Sequence, residues 1–275
     1  MITLNHVVRR KQGISREAFR DFWLEEHAKL QLVIAPGIGV RKYIKCETQF
    51  EDELHQTLVD VYGTAKDGYD FVDQMYINDF KDFKNGITDS NVCELLQKAH
   101  AACAEFVDFA RSDYWFSIEI PQVFTRESCI ATYDTTYIKV FYVPQRLPHL
   151  TLAQAQFHWI ACHGAMARQF IQHEPFDKYL QGHRVESAVL DQFKALLGSE
   201  FENRDTNIGQ AEAWIKRETF NSLKGPEAER MMRMLVADID LFVNPKISHY
   251  LGTKEHFILD QPVITEPVPA LFDLN

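Results

Sequence analysis

The 275-residue chain has no run of about 18 apolar residues, so no membrane-spanning helix is expected. It has no basic excess. Twenty-nine Lys and Arg stand against 39 Asp and Glu, a formal net charge of −10, which argues against nucleic acid as a partner because phosphates need a cationic surface. Cysteine is scarce and unpatterned: Cys46, Cys93, Cys103, Cys129 and Cys162 are odd in number and form no CxxC pair. Neither a zinc site nor a disulfide framework is therefore expected, and reduced thiols in a cytoplasm are the simplest reading. GxGxxG, the phosphate-binding P-loop and HExxH are all missing, which leaves the nucleotide and zinc-protease classes without support. The opening residues, Met1-Ile2-Thr3-Leu4-Asn5-His6, read as a strand rather than as the apolar core of a signal peptide.

What the chain does contain is a copy of itself. The helix-spaced string Phe19, Trp23, His27 returns as Ala155, Trp159, His163. The separation 163 − 27 = 136 also relates Trp23 to Trp159 and Tyr43 to Tyr179. Phe106-Val107-Asp108 returns as Phe242-Val243-Asn244, and Ser112 and Tyr114 return as Ser248 and Tyr250. One offset held over most of the chain means two copies of one folding unit. With 46% hydrophobic and 12% aromatic residues, two units of about 125–140 residues can each bury a core.

Periodicity gives each unit its elements. In the first, Ile2–Val8 is β-rich, and Ser15 caps a helix whose stripe carries Phe19, Trp23, His27, Leu30 and Ile34. Pro36-Gly37 ends that helix. Strands are expected at residues 40–46 and 71–77 with a charged loop between them, then a helix from residue 90 to about 111 and a strand at 114–120. In the second unit strands are expected at 138–143, 176–182, 211–215 and 250–259. Thr151 and Gln154 form a capping box before the helix of Trp159 and His163. Pro226 starts another helix, which runs to about Phe242, and residues 188–197 add an extra helical run to the middle loop. The order β-α-β-β-α-β is that of the ferredoxin-like split βαβ, whose sheet has one uncovered face. The expected fold class is α+β: two fused ferredoxin-like βαββαβ repeats forming an intrachain pseudo-dimeric α+β barrel. The first repeat is placed at residues 1–125, a junction at 126–137, the second repeat at 138–260, and an extended tail with three prolines at 261–275.

The stretch from Arg9 to His27 resembles the opening of EthD-type proteins of the dimeric α+β barrel superfamily. It has a basic strand end, Gly13, a capped turn at Ser15 and then Phe19-x-x-x-Trp23-x-x-x-His27. Tyr43 after Pro36-Gly37, and Phe106-Val107-Asp108, resemble the family too. The resemblance spans most of both halves, strongly in the first and weakly in the second. The family's Ala-Pro after the histidine is Ala28-Lys29 here and Gly164-Ala165 in the second copy, and its third-strand Trp corresponds to Tyr76 and Trp214. The resemblance implies a barrel with pockets between sheet and helices and no obligatory cofactor. It also implies kinship with decarboxylases and dehydratases of aromatic polyketides.

His27 and His163, each four residues after a Trp on an apolar stripe, are the candidate acid–base groups. The competing reading is a pair of core histidines satisfied by a carbonyl or an acid on the sheet. Tyr43 and Tyr179 are candidate hydrogen-bond donors to a substrate oxygen, with packing as the alternative. Trp23, Trp159, Tyr76, Trp214 and His6 are candidate substrate-binding residues, with Tyr76 and Trp214 expected on the sheet face against a planar ligand. His6 has Tyr142 as its counterpart, so the halves differ there. His158 and His163, five apart, are expected to be off-register on a helix, which disfavours a metal site. His100, His173 and His183 are expected on the surface or in loops. The expected function is a cytoplasmic, cofactor-independent lyase or isomerase. It would act on a small aromatic or polyketide-like substrate by decarboxylation, dehydration, cyclisation or isomerisation. The alternatives are a non-catalytic binding protein for an apolar ligand, a haem-dependent barrel and a cofactor-free oxidative enzyme. Expected partners are a small apolar or aromatic ligand and no nucleic acid or membrane, with a homodimer left open.

Overall fold

The computed structural model describes residues 2–123, 129–170, 176–198, 200–202, 205–222 and 225–261. Within them the strands are β1 (Ile2–Val8), β2 (Val40–Thr48), β3 (Phe71–Ile77), β4 (Asp113–Val123), β5 (Tyr137–Val143), β6 (Phe176–Val185), β7 (Gly209–Lys216) and β8 (His249–Asp260). They close into one antiparallel barrel in the order β1-β3-β2-β8-β5-β7-β6-β4. That cyclic order is unchanged when β1–β4 are exchanged with β5–β8, the joints being β2 with β8 and β4 with β6. All eight expected strands are present. The tail beyond Gln261, residues 126–128 of the expected junction, and His173 lie outside the described residues.

The helices are α1 (Arg16–Asp21), α2 (Ala28–Ile34), α3 (Glu53–Val61), α4 (Phe80–Gly86), α5 (Ser90–Cys103), α6 (Leu152–His158), α7 (Gly164–Phe170), α8 (Ala188–Leu197), α9 (Arg217–Ser222) and α10 (Pro226–Ile239). A π-helical turn, Phe22–His27, joins α1 to α2, and another, Trp159–His163, joins α6 to α7. Ser15 caps α1 by accepting from Ala18 N, and the Thr151–Gln154 capping box is formed in full. The helix expected to reach about residue 111 ends at Cys103, because Arg10 and Val107 pair as an isolated bridge and a 3₁₀ turn, Phe109–Arg111, follows.

Helix α3 corrects the expected loop. Charged residues surround it in the sequence, but Leu54, Leu58 and Val59 share one face and are buried. They pack on Ile138, Val140, Tyr142 and Tyr250 of β5 and β8, in the other half of the chain. Helix α8 makes the reciprocal crossing. Its Leu190 and Phe193 join Leu4, Tyr43, Tyr114 and Phe116 of β1, β2 and β4. Each half thus lends the other a helix.

Because a strand's side chains alternate between faces, the barrel has two chemistries. Val7, Ile44, Cys46, Val72, Trp115, Phe141, Val143 and Leu251 cluster with no helical residue among them, which places them inside. The same parity puts a polar layer inside as well. Lys139 Nζ lies 2.9 Å from Glu212 Oε2, 3.2 Å from Glu255 Oε1 and 2.6 Å from Gln74 Oε1, with no exposed surface on the lysine. Gln74 Nε2 donates to Glu212 Oε1 (2.7 Å), Gln210 Nε2 to Ser117 Oγ (3.0 Å), and Trp115 Nε1 to Gln210 Oε1 (2.9 Å). No helix among the described residues is long and apolar enough to cross a membrane.

Lys139 therefore pairs with two carboxylates in the barrel. Lys139→Met is expected to cost about 3–5 kcal/mol, the price of leaving buried charge unpaired. Adding Glu212→Gln and Glu255→Gln should recover much of that loss, and urea unfolding of both variants measures the difference.

Candidate active site

The outer face of the first half carries one transverse row of polar residues. Register aligns Tyr114 of β4 with His6 of β1, His6 with Asp73 of β3, and Asp73 with Lys45 of β2. The next row, Phe116, Leu4, Met75 and Tyr43, is apolar apart from the Tyr43 hydroxyl. Trp23, His27 and Gln31 cover these rows from the helix, spaced four apart. The π turn moves the helical stripe on by one residue: Gln31 and Ile34 are buried, whereas Leu30, expected on the stripe, is exposed.

Lys45 and Asp73 organise the site. Both are fully buried, with Lys45 Nζ 3.5 Å from Asp73 Oδ2. Trp23 Nε1 donates to Asp73 Oδ1 (3.0 Å) and the Tyr43 hydroxyl donates to Asp73 Oδ2. Lys45 Nζ also lies 2.6 Å from His27 Nδ1 and 4.0 Å above the Trp23 ring, and the rings of Trp23 and His27 stack 3.7 Å apart. Gln31 Nε2 sits 3.2 Å from His27 Nε2. Burial lowers the Lys45 ammonium to about 8, against the pull of Asp73. Burial also raises Asp73 and, with Asp73's charge added, raises Tyr43 well above its ordinary value. His27 and His6 are held well below 6.5, first by burial and then by the Lys45 charge, so both rings are neutral near pH 7.

Between this row and the helices lies a cavity of about 30 Å³, lined by His6, Trp23, His27, Gln31, His100 and Tyr114 on its polar side. That is room for a water or two, and about a fifth of the ~150 Å³ that holds a benzene ring. His6 Nε2 is buried and has no hydrogen-bond partner among the described residues; the His6 ring stacks 3.8 Å from Tyr114. Phe193 and Leu197 of α8 close the apolar side. Lys194 of α8 is ion-paired with Asp113, and Gln97 Nε2 of α5 donates to the Leu196 carbonyl (3.2 Å). The first-half cavity is thus completed by the second half.

The second half lacks this chemistry. The row equivalent to Tyr114, His6, Asp73 and Lys45 is Tyr250, Tyr142, Ala211 and Gln181. Gln181 Nε2 donates to the Trp159 carbonyl (3.1 Å) and to the Tyr179 hydroxyl (3.2 Å). His163 turns elsewhere: its Nδ1 lies 2.9 Å from Asp238 Oδ2, while His158 Nε2 lies 2.9 Å from Asp238 Oδ1. Five-residue spacing is in register here because a π turn, with its i→i+5 hydrogen bonds, carries His163 round to the face of His158. No cluster of metal-ligating side chains occurs among the described residues.

Several expected positions move. Tyr76 and Trp214 point into the barrel, away from the helices; Trp214 Nε1 donates to Glu255 Oε2 (3.1 Å). Tyr43 spends its proton on Asp73 and does not line the cavity. His100 lines the cavity, where burial takes it to about 4, and His183 stacks 5.0 Å from Trp159. Lys45, Asp73 and Gln31 were not anticipated. Lys45 had a signal: it lies two residues beyond Tyr43 in an alternating strand, hence on the same face. Asp73 had one too, as an acid in the middle of an apolar strand.

With this geometry in hand, comparison with known proteins adds family and fold. Residues 11–110 match the EthD domain family, and the helix of Trp23 and His27, Lys45 and Asp73 all lie within the matched stretch. Among solved structures, the chain is similar to an anthrone oxidase-like protein, with 10% identity, 94% of this chain and 92% of that chain covered, and a TM-score of 0.57. A monooxygenase-like protein of Lactobacillus acidophilus NCFM aligns over 94% of this chain and 96% of its own at 8% identity, with a TM-score of 0.44. No curated protein matches the chain by sequence.

Neutral buried histidines make stability sensitive to acid. Below pH 6.5 the unfolded chain takes up protons on His6 and His27 that the folded chain refuses, so their contribution is complete above 6.5 and is lost as pH falls. His27→Asn should flatten the slope of unfolding free energy against pH below 6.5 by about one proton, ~1.4 kcal/mol per pH unit. An unchanged slope in denaturant titrations across that range would mean the folded protein already carries the proton.

Proposed function

We propose that the chain is an acid–base enzyme with one equipped site, in its first half, and that His27 is the group that exchanges a proton with the substrate. The observation that carries this reading is a neutral imidazole at a cavity wall, with its second nitrogen held by a buried lysine. Such a ring accepts or delivers a proton at Nε2 without first being neutralised. His6, whose Nε2 has no partner among the described residues, supplies a hydrogen bond to the ligand. The substrate class is a small aromatic or polyketide-like ring, because Trp23, Phe109, Tyr114 and Phe193 offer flat apolar walls. The reaction is a decarboxylation, dehydration, cyclisation or isomerisation, each of which turns on one proton transfer. Entry of a ring requires Phe193 or Leu197 to shift. A cofactor-free oxidation, which the similarity to an anthrone oxidase-like fold brings to mind, begins with the same proton abstraction. A haem fits poorly: the cavity is far smaller than the macrocycle, and His27 Nδ1 is engaged by Lys45.

The same reading takes residues 1–125 and 138–260 as two fused ferredoxin-like repeats that form a pseudo-dimer. The unchanged strand order under exchange of halves and the reciprocal crossing of α3 and α8 support it. The second repeat is then a scaffold. Gln181, Ala211 and Tyr142 cannot replace Lys45, Asp73 and His6 in proton transfer, and His163 is committed to Asp238.

Replacing His27 with Asn should lower turnover of a responsive aromatic substrate by about 10²–10⁴-fold, the usual yield of a positioned acid–base group. His163→Asn should leave it within about threefold, well inside the smallest of those losses. Equal losses in the two variants, or none in the first, would overturn the single-site assignment.

A further inference from the structure

We propose that Lys45 is a positioning residue that loads and unloads a proton on His27 Nδ1, so that Nε2 meets the substrate as acid or base while the ring stays neutral throughout. The proposal rests on the reading of His27 as the group facing the substrate and extends it inward to the buried pair behind the ring.

Geometry supplies both end states. With Lys45 as an ammonium, its Nζ can only donate, so Nδ1, 2.6 Å away, accepts and the ring proton sits on Nε2. Gln31, whose amide nitrogen lies 3.2 Å from Nε2, then accepts that proton with its side-chain oxygen after a half-turn of an amide whose two ends are nearly isosteric. With Lys45 as a neutral amine, Nδ1 carries the proton and donates it to the Nζ lone pair. Nε2 now accepts from the Gln31 amide nitrogen, the end that lies 3.2 Å away. In each state every ring nitrogen keeps a partner.

The transfer balances. In the forward direction an N–H bond of Lys45 breaks as Nδ1–H forms, and Nε2–H breaks as the substrate atom gains the proton. Lys45 passes from ammonium to amine, the ring exchanges one neutral tautomer for the other, and one positive charge moves from Lys45 to the substrate. Abstraction is the reverse. Asp73 stabilises the charged end state by its ion pair, and it keeps the Trp23 and Tyr43 hydrogen bonds in the other. An imidazolium beside the ammonium would instead place two cations 2.6 Å apart with no water to separate them. The remaining titratable groups around the cavity are His6 of β1, Tyr114 of β4, and Cys103 and His100 of α5. None of them contacts Nδ1 in the described structure, and the lysine's place near 8 leaves both of its states accessible.

The test is nitrogen NMR of the full-length protein labelled with ¹⁵N-histidine, read without any substrate from about pH 6 to about pH 10, either side of the His and Lys ranges. The expected result is a His27 ring protonated on Nε2 at the low end, changing to Nδ1 as pH passes about 8, with no imidazolium at any point. In Lys45→Arg, which cannot release its proton, the ring should hold the Nε2 tautomer across the range. In Lys45→Met with Asp73→Asn, which removes both buried charges together, the change near 8 should vanish. A wild-type ring that keeps one tautomer throughout, or a swap that survives in Lys45→Arg, would overturn the relay. The wild-type titration decides alone if a variant does not fold. Loss of the relay would leave the turnover test of His27→Asn untouched, so the two readings fail separately.

Discussion

A lysine with no access to water has to find its counter-charge inside the protein, and Lys45 finds it in Asp73. Most of the first-half site follows from that pair. Asp73 has two oxygens to satisfy and draws the Trp23 indole and the Tyr43 hydroxyl towards them. The ammonium takes His27 Nδ1 and the face of Trp23. One ion pair thereby sets the orientation of three rings, on two structural layers, and pins the helix to the sheet by directional contacts within an otherwise apolar interface. Buried pairs of this kind rarely improve stability over a well-packed apolar alternative. Their presence is better explained by what they hold in place.

How much of this was legible in the sequence follows from the physics of each feature. The strands were legible, because a two-residue period is a local signal. The barrel followed from them, since a sheet covered on one face needs a partner for the other. The helix stripe was legible only as far as His27. Beyond it the π turn adds a residue, so Gln31 replaces Leu30 on the buried face. A period fixed at 3.6 cannot register that. The same cause hid the shared carboxylate of His158 and His163. Lys45 and Asp73 were overlooked for a different reason: charge in a strand reads as an exposed face unless a covering helix is known to lie on it. The counterpart of Asp73 was hidden as well. The β3–β7 relation is 211 − 73 = 138 rather than 136, because the connections holding α3 and α8 differ in length.

The comparison of the two halves argues for division of labour over redundancy. A scaffold role tolerates exchange of buried polar groups for neutral ones of similar reach, and the second-half row shows that exchange. Lys45 becomes Gln181, which still bonds the helix through the Trp159 carbonyl, and Asp73 becomes Ala211, which has no charge to answer. His163, with no lysine behind it, is held by an acid on α10 instead. These are the changes expected when packing must be kept and proton transfer need not be.

The crossing of α8 makes the halves unequal yet inseparable. The wall of the equipped cavity is Phe193 and Leu197, on a helix whose chain neighbours belong to the other half. The helix is held at its middle by Lys194 on Asp113 and near its end by Gln97 on the Leu196 carbonyl, with Gly198 turning the chain at φ 72° just after it. These polar ties add to the burial of Leu190 and Phe193 in the apolar cluster above β1, β2 and β4, whereas the sheet beneath is locked by closure of all eight strands. Local opening follows the weakest contacts, so opening of this cavity is expected to move α8 before it moves the polar row of the sheet. On the proposed reading, a rigid proton-transfer group behind a removable wall meets two opposed needs: water is excluded when the cavity is shut, and a ring is admitted when it opens. Neither half of the chain supplies both parts.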